Sequence, residues 1–337
     1  MQERPKPIEK PMDLSDILRL KALVMRALRG WMEQEGFLET FYPEITQVTG
    51  SCETIANIFL LQERELLPLR QTAQLAMEEL LIKSQFSRMF TSGRSFRRER
   101  GGDGRHLNEF ELVEWEGLDI GLEKLLQHNE NILEYVITQV LHFPSPILKR
   151  DRKRVLYYWF ELWKQSRPKM RYERAIRILQ TMKCQIKTQE NESRFIQMGD
   201  DLTAEAEQML TEEFGIVQVT HYPEEIKFFN MERSREKRYT GCVECVDMLL
   251  PYAGETIGGS AREYDYRILC EKLGSSLMLK HLKEMNRKRG GTDTEIEQAF
   301  GSYLDLFRYE SYPRAGAGLG LGRLLQFLTA SPTIIPF

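Results

Sequence analysis

SFRRERGGDGRHLNEFELVEWE, Ser95 to Glu116, sets an arginine and a glutamate ahead of a Gly-rich turn, then Arg105-His106, then Glu109-Phe110 on an alternating strand. Alternation puts every second side chain of a strand on one face, so cations, a hydrogen-bonding carboxylate and an aromatic ring share one surface. That surface suits a bent ATP. Near the other end, GAGLGLGRLLQFL, Gly316 to Leu328, supplies a glycine-rich strand whose missing side chains let a ligand approach the backbone, followed by Arg323 at the start of an apolar helix. Alone, that glycine run reads equally well as a packed strand-to-helix joint. In company with the first stretch it reads as the second half of a nucleotide site.

The two stretches, in this order, resemble motifs 2 and 3 of the class II aminoacyl-tRNA synthetases. A third piece lies near the start of the chain. Ser15 is an expected N-cap for a helix carrying Ile17, Leu20, Val24, Leu28 and Trp31 at three- and four-residue spacing and ending by Gly36. GFLETFYPEIT follows as a strand interrupted by Pro43, which cannot donate a ladder hydrogen bond and belongs at an edge or bulge. This helix, strand and proline resemble motif 1, the dimerisation element. The resemblance implies an α+β domain with a mixed, mainly antiparallel sheet flanked by helices, paired into a homodimer. It divides the chain into an extension over residues 1–14 and a catalytic domain over 15–337, with a variable middle at about 145–195.

Composition excludes more than it identifies. The 337 residues, 42% hydrophobic and 29% charged, suffice for one large domain or two ordinary ones. A net charge of −3 gives no global footprint of a nucleic-acid binder, although local basic patches such as Arg94 to Arg105 and Arg150 to Arg154 exist. No apolar run of about 18 residues and no signal-peptide pattern occurs, which points to a cytoplasmic protein that neither enters a membrane nor is secreted. Five cysteines, an odd number, argue for reduced thiols. Cys242 and Cys245 form a lone C-x-x-C pair that reads as strand thiols in preference to half a zinc site. The middle segment, with VLYYWFELW among basic residues, reads either as a nucleic-acid surface or, preferably, as an amphipathic element packed under the domain.

Within class II the resemblance is to asparaginyl- and aspartyl-tRNA synthetases, supported by LRQTAQLAMEELL (Leu69 to Leu81), GDDLTAEAEQMLTEEFG (Gly199 to Gly215), HYPEEIKFFNM (His221 to Met231) and VDMLLPYAGETIGGSARE (Val246 to Glu263). It assigns catalysis to Arg97 and Arg323, and ATP binding to these two with Glu99, Arg105, His106 and Phe110. Arginine's planar fork fits bidentate work on the α-phosphate and the reacting carboxylate. Asp247 and Glu255 are implied ligands of Mg²⁺, whose hard-oxygen preference they match. Glu53, Gln74, Met77, Glu114 and Arg262 fall at amino-acid-binding positions. Aspartyl enzymes place a lysine where this chain has Met77 and an aspartate where it has Glu114, so the expected substrate is asparagine or a related polar amino acid.

Two departures stand out: Gly322 replaces an acidic residue before the motif 3 arginine, and Pro313-Arg314 replaces a Pro-His pair. The oligonucleotide-binding barrel that precedes the catalytic domain in these synthetases is also not found. The leading expectation is therefore an ATP-dependent ligase that forms an aminoacyl adenylate and passes it to a non-tRNA acceptor such as a small amine, a peptide or a protein. The alternatives are an ammonia-dependent asparagine synthetase, a tRNA-charging enzyme and a non-catalytic amino-acid or nucleotide sensor.

Overall fold

The computed structural model describes residues 4–46, 58–61, 67–98, 107–144, 147–187 and 192–334. The first helix, α1 (Leu14–Gln34), buries Leu20, Val24, Leu28 and Trp31, as its periodicity requires. Its N-cap is Asp13, which makes no side-chain cap bond, so Ser15 falls inside the first turn and not at the expected cap. The helix ends just before Gly36, whose φ of +78° is a left-handed conformation that glycine adopts without steric cost.

The strand expected through GFLETFYPEIT shrinks to β1 (Leu38–Glu39). Thr40 still donates to the Phe90 carbonyl, but past it Pro43 has no N–H to offer, and among the described residues the chain turns to an isolated antiparallel bridge between Ile45 and Leu69. Then come α2 (Gln74–Ser84), the hairpin strands β2 (Arg88–Phe96) and β3 (Glu109–Leu118), and α3 (Leu122–His142), which buries Ile132, Leu133, Val136, Ile137, Val140 and Leu141 at three- and four-residue spacing.

In the middle of the chain lie α4 (Arg150–Ser166), β4 (Lys169–Arg171), α5 (Tyr172–Thr181), the small hairpin β5 (Gln185–Lys187) and β6 (Ser193–Phe195), and α6 (Ala204–Phe214). The aromatic run belongs to α4, where Leu156, Trp159, Phe160 and Trp163 are buried. Trp159 donates its indole N–H to the Tyr252 hydroxyl at 2.8 Å. These rings are packing residues, in line with the amphipathic reading. Arg152, also buried, donates to the carbonyls of Thr329 and Lys10 and so ties together three separate stretches of chain.

The last third contributes β7 (Val217–Thr220), β8 (Cys245–Leu250), β9 (Gly254–Arg262), the helices α7 (Tyr266–Ser275), α8 (Leu277–Arg287) and α9 (Asp293–Asp305), then β10 (Arg314–Gly320) and α10 (Leu321–Thr329). Cys245 opens β8 and is buried, which pushes its thiol up to about 12, while Cys242, only partly buried, pairs with Pro223 in an isolated bridge before the strand; both are free thiols.

Eight strands form one sheet in the order β1-β2-β3-β10-β9-β8-β7-β4. Its inner pairs are antiparallel, and only the outermost pairs, β1 with β2 and β4 with β7, are parallel. The sheet is thus mixed and mainly antiparallel, as expected. Alternation splits its centre into two chemistries. Val113 and Trp115, Ala315, Ala317 and Leu319, Ile257 and Ala261, and Val246 and Met248 face the core shared with α1, α3, α4 and α10. The intervening residues Glu114, Glu116, Gly316, Gly318, Gly258, Ser260, Arg262 and Asp247 belong to the opposite face, over which a cleft opens. Removing the Trp115 side chain from that core would cost about 3–5 kcal/mol. The cleft is positioned by this apolar half.

Candidate functional site

The cleft has a volume of about 240 Å³ and draws its walls from β3, β8, β9, β10, the start of α10, and the loop before α6. On one side stand Arg97, Phe110 and Arg323. Arg97 follows β2 directly, and its guanidinium carbon lies 5.2 Å from the centre of the Phe110 ring. Arg323 lies in the first turn of α10 and donates to the Glu255 carbonyl.

Asp247 and Glu255 converge from neighbouring strands. Asp247 is in register with Gly258, but the pairing slips so that Leu249 faces Glu255 while Met248 faces Ile257, leaving Thr256 as the extra residue of a bulge. The bulge moves Glu255 onto the Asp247 face. A Cβ at Gly258 would meet Glu255 Oε1 at 2.3 Å and Asp247 Oδ1 at 3.6 Å, so both carboxylates occupy space that only glycine leaves open. Lys227 Nζ pairs with Asp247 Oδ2 at 3.0 Å. Burial raises the Glu255 carboxyl above its ordinary range, Asp247 adds to the rise, and Lys227 and Arg323 oppose it. Glu207 on α6 also lines the cleft and accepts from the Glu255 backbone N–H; burial pushes it up to about 8 against the pull of Arg323.

Two protein carboxylates with room beside them fit Mg²⁺, which keeps several waters and binds phosphate oxygens alongside one or two carboxylates. Among the described residues no group of three His, Cys, Asp or Glu side chains completes a metal cage.

The other side of the cleft holds Thr72, Gln74, Met77, Glu114, Glu116 and Arg262. Glu114 accepts from the Thr72 hydroxyl and from the Ala73 N–H at 3.0 Å. Burial raises its carboxyl, and those two bonds oppose the rise. Arg262 is 4% exposed, with Nε at 3.1 Å and Nη2 at 3.1 Å from Glu116, and Nη1 at 2.7 Å from Ser260 Oγ. A guanidinium carries five N–H groups, so this pairing leaves donors on the Nη1 and Nη2 atoms for a further acceptor. Glu116 is pushed up to about 7 by burial, with Arg262 pulling the other way. Gly316 makes room for it: a Cβ there would stand 1.9 Å from Glu116 Oε2. Met77 is buried and brings no charge.

Thus Arg97, Phe110, Arg323, Gln74, Met77, Glu114, Arg262, Asp247 and Glu255, singled out from sequence, line one cleft. Glu53, Glu99, Arg105 and His106 lie outside the described residues. Sequence reasoning passed over Thr72, Glu116, Asp201, Glu207 and Lys227, which also line it. Glu116 could have been found by alternation, two residues beyond Glu114 on the same strand face. The others lie within the stretches Leu69 to Leu81, Gly199 to Gly215 and His221 to Met231 that carry the resemblance, but on loops and a helix whose approach to the cleft no periodicity states.

Comparison with known proteins agrees with this geometry. The family model for class II tRNA synthetases (D, K and N) matches residues 9–336. The asparagine–tRNA ligase of Thermococcus kodakarensis is 31% identical over 318 residues, covering 93% of this chain and 65% of that protein. This chain therefore spans slightly less than two thirds of the relative's length. The crystal structure of asparaginyl-tRNA synthetase from Pyrococcus horikoshii complexed with asparaginyl-adenylate superposes with a TM-score of 0.74 at 28% identity, over 95% of this chain and 66% of that one. Aspartyl-tRNA synthetase from Entamoeba histolytica shares the fold, with a TM-score of 0.66 at 19% identity over 94% of this chain and 56% of that one. With the motifs, the sheet and the matched span in agreement, the chain belongs to the class II tRNA synthetases of the D, K and N group.

Proposed function

We propose that this protein activates asparagine with ATP and transfers the asparaginyl group to tRNA. The observation that carries the reading is the single cleft in which the nucleotide side (Arg97, Phe110, Arg323), the carboxylate pair (Asp247, Glu255) and the amino-acid side (Gln74, Glu114, Arg262) meet. Activation requires the amino-acid carboxylate to attack the α-phosphorus as the bond to the β-phosphate breaks and pyrophosphate leaves. Arg97 is assigned to hold both reacting groups and to stabilise the charge that builds between them. Phe110 and Arg323 are assigned to the two faces of the adenine, with Arg323 also reaching toward the phosphates. Glu99, Arg105 and His106 remain assigned to ATP, and Glu53 to the amino acid, on the family resemblance alone. Mg²⁺, when bound by Asp247 and Glu255, supplies charge neutralisation to the departing pyrophosphate.

The amino-acid side favours an amide. Glu116 engages Arg262, so the positive charge nearest the substrate side chain is already balanced, and Glu114 adds a further carboxylate. An aspartate side chain would meet excess negative charge there, whereas a carboxamide can donate to Glu114 and accept from Arg262. A non-tRNA acceptor, the leading expectation from sequence, finds no support among the relatives, whose names are those of tRNA ligases. The proposal places the protein in the cytoplasm as a homodimer joined through the segment around Pro43, where Leu38, Phe41 and Ile45 are exposed. Incubation with total tRNA, ATP and labelled asparagine tests the acceptor. Asparaginyl-tRNA formed at a rate well above the protein-free control is expected, and adenylate formation without acylated tRNA would remove the tRNA half of the proposal.

A further inference from the structure

Behind the amino-acid side of the cleft lies a carboxylate that the proposed chemistry does not use. Glu78 on α2 is 0% exposed and accepts from four side chains: Gln74 Nε2 at 3.1 Å, Asn230 Nδ2 at 2.8 Å, Tyr303 Oη at 2.7 Å, and Arg314 through Nε at 2.9 Å and through Nη2. A carboxylate has about four lone-pair sites, so Glu78 is saturated with donors. Arg314, 1% exposed, supplies the opposite charge that a fully buried anion requires, and it is held in turn by the Glu263 and Tyr312 carbonyls. This is the position at which the sequence departs from the family's Pro-His pair.

The consequence reaches the cleft through Gln74. Its side-chain amide can face an anion only with its nitrogen, and the Nε2 bond to Glu78 turns Oε1 away from the carboxylate, on a residue that lines the cleft. We infer that the Arg314–Glu78 pair is a positioning device that fixes Gln74 as a hydrogen-bond acceptor, so that the amino-acid side of the cleft reads an N–H donor of its ligand, an α-ammonium or a carboxamide. The inference rests on the proposed amino-acid site. On this reading Gln74 touches the ligand and Glu78 and Arg314 act through it; Glu78 Oε1 also lies 3.7 Å from Arg262 Nε, a second route to the cleft that the double-variant cycle separates from the first. Tyr303 lies on α9 and Asn230 on the β7–β8 connection, so the same carboxylate also braces the floor from two further parts of the fold.

The test uses Glu78→Gln, which keeps shape but presents an amide that can donate to Gln74 and so reverse it, alongside Gln74→Met and the double variant. Asparagine binding is measured by calorimetry, and KM values for asparagine and ATP are measured in pyrophosphate exchange. Glu78→Gln is expected to weaken asparagine binding about tenfold or more while the KM for ATP stays within about twofold. Because Glu78 acts through Gln74, the double variant is expected to bind no worse than Gln74→Met alone. Additive losses, or an equal rise in both KM values, would overturn the positioning role. Should Glu78→Gln leave Arg314 unpaired and the protein unfolded, the pair Glu78→Gln with Arg314→Met removes both charges and serves in the same cycle. A folded wild-type protein that binds no amino acid in calorimetry overturns the underlying site as well, and so separates the two failures.

Discussion

Arg97 and Arg323 bear the heaviest chemical assignment at the scale of single residues. Replacing either by Ala should lower asparagine-dependent pyrophosphate exchange by about 10²–10³-fold, close to 3 kcal/mol, as loss of a charge-stabilising donor does elsewhere. Circular dichroism and the melting temperature should stay near wild type, because both side chains line a cleft and neither belongs to the apolar core. Met77 bears on selectivity. It is buried beside Gln74 without a charge, and Met77→Lys should shift the ratio of aspartate to asparagine exchange toward aspartate by about tenfold, the effect of roughly 1.4 kcal/mol of added attraction. An unchanged ratio in a folded variant would mean that Arg262 and Glu114 alone set the choice.

Among the elements, the outcome depends on strand register and helix environment. Gly316 on β10 faces Glu116 across the ladder, and a Cβ at that position would stand 1.9 Å from Glu116 Oε2. Gly316→Ala should therefore displace Glu116 from Arg262, cost about 1–3 kcal/mol of stability as overpacking does, and weaken asparagine binding. Calorimetric melting and binding on the same sample check both parts. On α3, His128 is buried against the edges of Trp31 and Phe37 and neither ring nitrogen has a hydrogen-bond partner among the described residues. Burial, helped by Lys124 and Arg88, pushes its pKa down to about 4. The unfolded chain therefore binds the extra proton first, and stability falls as pH drops from the ordinary histidine range near 6.5 toward about 4. His128→Leu should flatten that fall, which melting temperatures measured at neutral and acid pH would reveal.

These elements also mark what the sequence could and could not convey. Periodicity located α1, and the motif residues on β3, β9 and β10 were visible because each sits in a local pattern. Glu207 on α6, Asp201 in the loop before it and Lys227 in the β7–β8 connection are brought to the cleft by the strand order β3-β10-β9-β8-β7, which no local pattern states. The bulge at Thr256 that turns Glu255 toward Asp247 is likewise a property of pairing. The Ser15 cap and the long strand through Pro43 were misread for a different reason, since local propensity there competes with where the sheet edge ends.

On the scale of the whole molecule, one apolar face holds the sheet against α1, α3, α4 and α10, while the other gathers charge over a cleft. The exposed Leu38, Phe41 and Ile45 near Pro43 give the proposed dimer an apolar patch to bury. Light scattering at micromolar concentration should report about twice the chain mass of 39.6 kDa, and a monomer would count against pairing through this segment. The central claim, that this cleft activates asparagine with ATP, is tested most directly by ATP–pyrophosphate exchange surveyed over all twenty amino acids with Mg²⁺ present. Exchange that depends on asparagine, exceeds that with aspartate, and collapses in Arg97→Ala is the predicted result. Exchange with aspartate alone would contradict the amide pocket and favour ammonia-dependent asparagine synthesis, and no exchange with any amino acid would contradict the catalytic reading itself.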